Sequence, residues 1–252
     1  MMRRLAPVGI LLVVTACGGS TTGDSSSGDT TLTVLAASSL TETFGELETI
    51  YEEEHEGVDV RISYDSSATL AGQAVEGAPA DVLATADTAT MEMATEADVT
   101  EREPEMFATN TMVLVVPAGN PAGIEGFTDI DSEDVSYLAC EESAPCGALA
   151  KTLLDANQIQ ARPRSFEVDV KAVLTKVELD EADAGMVYET DAVASGDNVE
   201  TIDIAKASAE VNSYPIAALQ QSENPDLAQE WVDLVLSEQG QGILTQAGFG
   251  SP

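Results

Sequence analysis

Two serine-bearing turns near the front of the chain have the residue types and spacing for chemistry. One reads Leu35-Ala36-Ala37-Ser38-Ser39-Leu40-Thr41-Glu42, the other Tyr64-Asp65-Ser66-Ser67-Ala68-Thr69-Leu70. Each follows a short β-rich apolar run and opens a helical pattern. A strand-to-helix turn presents backbone N–H groups and hydroxyls, and the helix dipole favours an anion in front of them. Two such turns, one strand–helix unit apart, can converge on one small anion. Taken singly, each serine suits an ordinary helix N-cap equally well. Hydrolytic use of either serine lacks support: no G-x-S-x-G elbow is present, and the single histidine, His55, lies in the acidic run Glu52–Glu56. Paired carboxylates for glycoside chemistry stay open among 45 acidic residues, although an aromatic content of 4% suits a sugar-stacking cleft poorly.

The elements that must position these turns alternate. Thr31–Ala36 reads as a strand and Leu40–Tyr51 as a helix, with Leu40, Phe44, Leu47 and Tyr51 at helical spacing. Val58–Tyr64, Asp81–Ala86 and Thr111–Val116 read as strands. Thr69–Glu76 reads as a helix, and Asp87 caps another that runs to about Ala97. The breaker-dense stretch Pro117–Gly123 marks a change of direction. A second series follows: strand Val135–Cys140, helix Gly147–Ala156, helix Asp169–Leu179, strand Ala184–Tyr188 and strand Val199–Ile204. Ser213–Leu219 reads as a strand returning to the first series. Pro225 opens a helix with Leu227, Trp231, Leu234 and Val235 on one apolar stripe, so Trp231 is assigned to the core, and the last helical stretch ends near Gly248. The fold class is α/β: two lobes, each a mostly parallel sheet flanked by helices, joined by two crossings. Lobe one takes 31–112 and 213–252, lobe two 113–212. A cleft between two lobes suits hinge closure on a ligand.

The front of the chain reads as an address. Met1-Met2-Arg3-Arg4 is a positive n-region, Leu5–Val14 is apolar but too short to span a bilayer, and Val14-Thr15-Ala16-Cys17 has the form of a lipobox. Residues 1–16 are expected to be a lipoprotein signal peptide, with Cys17 lipidated; a plain secretory signal is the alternative. Several acyl chains on Cys17 would make a durable membrane anchor. Residues 17–30 are rich in Gly, Ser, Thr and Asp and read as a tether. The expected location is extracytoplasmic, in the cell envelope. There, Cys140 and Cys146, with five residues between them, read as a small-loop disulfide; a zinc site is the alternative, but two thiols without a nearby histidine make a poor one.

The formal net charge is −35, which argues against nucleic-acid binding. The acids are dispersed and read as a solvated surface. No D-x-D-x-D-G loop marks a calcium site.

Three blocks then point the same way. They are Val34–Thr41; Ser66–Ala71 with Glu76-Gly77-Ala78-Pro79-Ala80-Asp81-Val82; and Gly185-Met186-Val187-Tyr188-Glu189-Thr190-Asp191-Ala192. In this order and spacing they resemble the periplasmic molybdate-binding proteins of ABC importers, over Thr31 to Phe249. The resemblance implies an oxyanion held between the lobes by neutral donors. Matched motif to motif, it assigns the hydroxyls of Ser39, Ser67 and Tyr188, and the backbone N–H groups of Cys146 and Val170, to the ligand. It implies capture of molybdate, with tungstate, for an importer's permease and ATPase, and a binding protein rather than an enzyme. It calls for no cofactor; molybdenum enters only within the oxyanion, with no direct protein–metal ligand. The protein is expected to be monomeric. Cys146 departs from the small residue usual there, and its cystine could preorganise the site or narrow it. The competing reading is another oxyanion, such as sulfate or thiosulfate. Lys171 bears on it as the only basic residue beside a proposed ligand position.

Overall fold

The computed structural model describes residues 30–252. The signal peptide, Cys17 and the tether as far as residue 29 lie outside the described residues. Two five-stranded sheets organise the chain. The first has the order β2-β1-β3-β10-β4, from β1 (Thr30–Ala37), β2 (Val58–Asp65), β3 (Val82–Ala84), β4 (Glu105–Asn110) and β10 (Asn212–Ala218). The second has the order β7-β6-β8-β5-β9, from β5 (Met112–Pro117), β6 (Tyr137–Cys140), β7 (Ser165–Glu167), β8 (Ala184–Tyr188) and β9 (Val199–Asp203). In each sheet one strand runs against the rest, β10 in the first and β5 in the second. Both are strands by which the chain enters that sheet from the other. We call each sheet with its helices a lobe.

Local sequence explains the helices that matter for the site. In α1 (Thr41–Glu54), Phe44, Leu47 and Tyr51 are buried on one face, together with Leu40 just before it. Helix α4 (Pro145–Ala156) has Pro145 in its first turn, where a missing N–H costs nothing. Helix α5 (Val170–Glu178) is capped by Asp169, whose carboxylate accepts from the Ala172 N–H at 2.9 Å. Helix α2 spans Ser67–Val75, and α3, Thr88–Glu96, is capped by Asp87 in the same way. Trp231, on α7 (Pro225–Leu236), is fully buried with its ring edge-on to Phe44 and Tyr51, as its apolar stripe requires.

The structure adds elements that the pattern does not show. β4 mixes polar and apolar residues without clean alternation, and its first two residues are exposed. β7 is a three-residue edge strand. A short helix, α6 (Glu189–Ser195), follows Tyr188 directly. The C-terminal helical stretch is interrupted at Ser237, whose hydroxyl caps α8 (Glu238–Gln246) by accepting from the Gly240 N–H at 3.1 Å.

The chain passes between the sheets twice, from β4 to β5 through Thr111 and from β9 to β10. The two crossings lie side by side. Asn110, ending β4, is the direct cross-strand partner of Asn212, opening β10.

Candidate functional site

Five positions singled out in the sequence meet at one place. Ser39 lies in the 3-10 turn Ser38–Leu40 after β1, and Ser67 is the first residue of α2, after β2. Cys146 is in the first turn of α4, after β6; Val170 opens α5, after β7; Tyr188 ends β8. All five line one cavity, with Ala37, Ser38, Asp65, Ser66 and Ala86 from the first lobe and Pro145 and Asp169 from the second; the Asp65 carboxylate accepts from the Ser66 N–H at 2.6 Å. Every contributor sits at the carboxyl end of a strand, where open α/β sheets place ligands. The space enclosed is about 10 Å³, roughly one water-sized sphere, so the two lobes stand close together. A groove of about 350 Å³ beside Lys151, Arg162 and Phe166 is larger, but it lies within the second lobe and mixes cation, carboxylate and apolar walls.

The serines are not serving as caps. Ser66 occupies the N-cap of α2, yet its side chain makes no capping bond, and the turn holding Ser39 likewise has none. Instead Ser67 Oγ accepts from the Ala86 N–H at 2.9 Å, and Ser39 Oγ lies 3.0 Å from the Tyr214 hydroxyl. On the second lobe, the N–H groups of Cys146 and Val170 fall in first turns, where no residue four positions back supplies an intrahelical acceptor. Asp169 takes the N–H of Ala172. The dipoles of α2, α4 and α5 all present their positive ends to the cavity.

Behind the lining stands a second layer. The Tyr188 hydroxyl accepts from Asn212 Nδ2 at 2.7 Å, and Asn212 Nδ2 also donates to the Pro145 carbonyl at 3.3 Å. Asn110 Nδ2 donates to Thr190 Oγ1 at 2.9 Å and to the Tyr214 hydroxyl at 3.3 Å. The rings of Tyr188 and Tyr214 meet edge to face with centroids 6.0 Å apart. Burial, and then the neighbouring Tyr214, push the Tyr188 hydroxyl well above its usual range; burial does the same for Tyr214. Both stay protonated and neutral at any physiological pH.

Among the described residues no cation lines the cavity. Lys171, next to Val170, turns away from it: Nζ donates to both carboxylate oxygens of Glu42 at 2.8 Å and pairs with Asp191 Oδ1 at 3.0 Å. Burial works to lower the Lys171 pKa, but Asp191 and Glu42 together hold it above the ordinary value. Asp191 is buried. Its Oδ2 accepts from the Tyr188 N–H at 3.3 Å, and among the described residues the lysine is the one partner of Oδ1. Burial raises its carboxyl to about 6, against the pull of Lys171.

Cys140 and Cys146 form a disulfide, with Cα atoms 5.7 Å apart, joining the end of β6 to the first turn of α4. The turn is tight. A Cβ at Gly147 would lie 1.9 Å from the Glu141 carbonyl oxygen, so only glycine fits after the cystine. His55 is remote from this chemistry: it stacks on Tyr51 and faces Glu230 at 3.1 Å.

Such a cleft between two α/β lobes, lined by hydroxyls and first-turn N–H groups beside Asp65 and Asp169, suits a small solute. The sequence pattern of bacterial extracellular solute-binding proteins matches residues 32–250. The chain belongs to this family. The molybdate-binding protein ModA of Mycobacterium tuberculosis is 38% identical over 241 residues, covering 94% of this chain and 92% of that one. Among solved structures, the periplasmic molybdate-binding protein of Azotobacter vinelandii shares the fold with a TM-score of 0.76 at 18% identity, over 88% of this chain and 99% of that one. The sulfate-binding protein SubI of Mycobacterium tuberculosis shares it equally, at 0.76 and 18% identity over 87% and 86%. The same fold thus occurs in a molybdate-binding and a sulfate-binding protein.

Several residues that shape the site carry no sequence signal of that role. Asn110 ends a strand the pattern does not show. Tyr214 and Asn212 sit in or beside a strand whose sequence marks only burial. Asp191 falls inside the G-x-V-Y-x-x-D-A block, but only the structure reveals that it holds the Tyr188 backbone.

Proposed function

We propose that the protein captures molybdate, and tungstate with it, in the interlobe cavity and delivers it to the permease and ATPase of an ABC importer. It acts outside the cytoplasm, tethered through lipidated Cys17, as a monomeric receptor that transforms nothing and needs no cofactor. The observation that carries this reading is the meeting, from both lobes, of the hydroxyls of Ser39, Ser67 and Tyr188 with the first-turn N–H groups of α4 and α5, with no cation among them.

The chemistry follows from the donor set. A tetraoxo dianion offers acceptors only and carries no proton near neutral pH, so a ring of donors suits it. Hydrogen phosphate would turn its O–H toward hydroxyl and N–H donors, the lining carboxylates of Asp65 and Asp169 already accepting from Ser66 and Ala172, and each buried mismatch costs about 1–3 kcal/mol. Two such mismatches separate the anions by orders of magnitude. Sulfate is also fully deprotonated, so cavity size must exclude it. Molybdate and tungstate are nearly the same size, so both are accepted. Lys171 gives sulfate no added support, because its charge is spent on Glu42 and Asp191. The acidic surface is compatible with an anionic ligand, since charges beyond a Debye length of about 8 Å are largely screened. Release requires the lobes to part about the two crossings.

Equilibrating the purified protein with molybdate, desalting it, and measuring bound molybdenum by plasma mass spectrometry tests the reading. One molybdenum per chain is expected, and retention at the level of an unrelated acidic protein overturns it.

A further inference from the structure

The donors of the cavity include three hydroxyls, and a hydroxyl is not a donor by nature. It carries one proton and two lone pairs and rotates to suit its surroundings. Something must aim these protons at the ligand, and the hydrogen bonds behind the lining show what does.

The polarity of each chain of bonds is set by backbone groups that have no choice. The Thr111 N–H donates to Asn110 Oδ1 at 3.0 Å, which fixes which end of that amide is Nδ2. Both protons of Nδ2 then go outward, to Thr190 and to Tyr214. Tyr214 is fully buried, and its hydroxyl bonds Asn110 Nδ2 and Ser39 Oγ. Nδ2 only donates, so the Tyr214 proton goes to a neighbouring hydroxyl, and Ser39 Oγ at 3.0 Å is the one within hydrogen-bond distance. Ser39, having accepted, has its own proton free for the cavity. The second chain is parallel. The Pro145 carbonyl only accepts, so it fixes Asn212 Nδ2, whose other proton goes to the Tyr188 hydroxyl. Ser67 is set directly by the Ala86 N–H.

We propose that Asn110, Tyr214 and Asn212 are positioning residues that hold the Ser39 and Tyr188 hydroxyls as donors toward the bound oxyanion. Tyr214 and Asn212 do not line the cavity and act only through the residues in front of them. Asn110 and Asn212 face each other across β4 and β10 at the two crossings, so the aim of the protons is tied to the strands about which the lobes turn. This proposal rests on the oxyanion-binding reading and adds the residues that make the site selective for an unprotonated ligand.

A double-mutant cycle separates an orienting role from a structural one. Molybdate is titrated calorimetrically into the wild type, Tyr214→Phe, Ser39→Ala and the double variant. Tyr214→Phe keeps the ring and removes only the hydroxyl. It should weaken binding about five- to tenfold in the wild-type background and less than twofold when Ser39 is already alanine. A second cycle, Asn212→Ala with Tyr188→Phe, should show the same coupling and does not depend on the first variant's folding. Equal losses in both backgrounds, or no loss from Tyr214→Phe alone, overturn the positioning role while leaving the binding function intact. A wild type that takes up no molybdate overturns both.

Discussion

Lys171 Nζ lies 2.8 Å from each carboxylate oxygen of Glu42 and 3.0 Å from Asp191 Oδ1, so one ammonium ties α5 to α1 across the cleft and neutralises a buried acid beneath Tyr188. The two halves of this arrangement differ in worth. Glu42 is half-exposed, and such pairs contribute about 0–1 kcal/mol. Asp191 is buried, and stripping its partner leaves an uncompensated charge.

Glu42→Gln should therefore leave the unfolding midpoint nearly unchanged while weakening molybdate binding a few-fold, because only a strut of the closed form is lost. Lys171→Met should cost about 3 kcal/mol or more of stability, read from urea unfolding. Equal stability losses from the two variants would contradict this division.

Ser39→Ala and Ser67→Ala should each weaken molybdate binding about tenfold or more, since a hydrogen bond to a charged group contributes roughly 1.5–3 kcal/mol. Both should also lower the stability of the ligand-free protein, because each leaves a buried donor without its acceptor. Ser67→Ala strips the acceptor from the Ala86 N–H and should lower stability by about 1–3 kcal/mol. Ser39→Ala strips the acceptor from the buried Tyr214 O–H, since Asn110 Nδ2 only donates to it, and should cost a similar amount. Calorimetric titration and thermal unfolding of the two variants check both halves.

Reducing the Cys140–Cys146 disulfide, or replacing Cys140 by Ser, should lower stability by about 2 kcal/mol, as expected for so short a loop. It should also weaken molybdate binding, because Cys146 carries one of the proposed backbone donors. Unchanged affinity in the reduced protein would mean that the Gly147 turn alone holds that amide.

Asp191 has an ordinary pKa of 3.8 and a folded-state value of about 6. Between these values the folded protein holds a proton that the unfolded chain has released. Its contribution to stability is therefore fully present below about pH 4 and is lost as pH rises through 6, with a slope of roughly 1.4 kcal/mol per pH unit for one proton. Asp191→Asn cannot titrate and should gain on the wild type as pH rises from 4 to 7. Parallel urea midpoints for the two proteins over that range would contradict the assignment.

Much of the fold was legible because periodicity tracks burial. Leu40, Phe44, Leu47 and Tyr51 repeat at helical spacing and are all buried, and the alternating order of strands and helices demands sheets with helices packed on them. What escaped were elements without such a signature: β7 is three residues long, and β4 mixes polar and apolar positions. Five residues of the lining were legible through motif resemblance: Ser39, Ser67 and Tyr188 lie in distinctive blocks, Cys146 in a Pro-Cys-Gly turn, and Val170 in a segment with few distinctive residues, beside its cap Asp169. The second layer was not, because Tyr214 and Asn110 differ from any buried tyrosine or strand-end asparagine only in which atoms they touch across 175 and 104 residues of chain.

The central claim is that the hydroxyl and N–H donors meeting between the lobes select an unprotonated tetraoxo dianion, molybdate or tungstate. The most direct test is calorimetric titration of the purified protein with molybdate, tungstate, sulfate and phosphate at pH 7.5 and one fixed salt concentration. Molybdate and tungstate should bind one per chain with similar affinity, with sulfate and phosphate at least about a hundredfold weaker. Sulfate or phosphate binding as tightly as molybdate would contradict it.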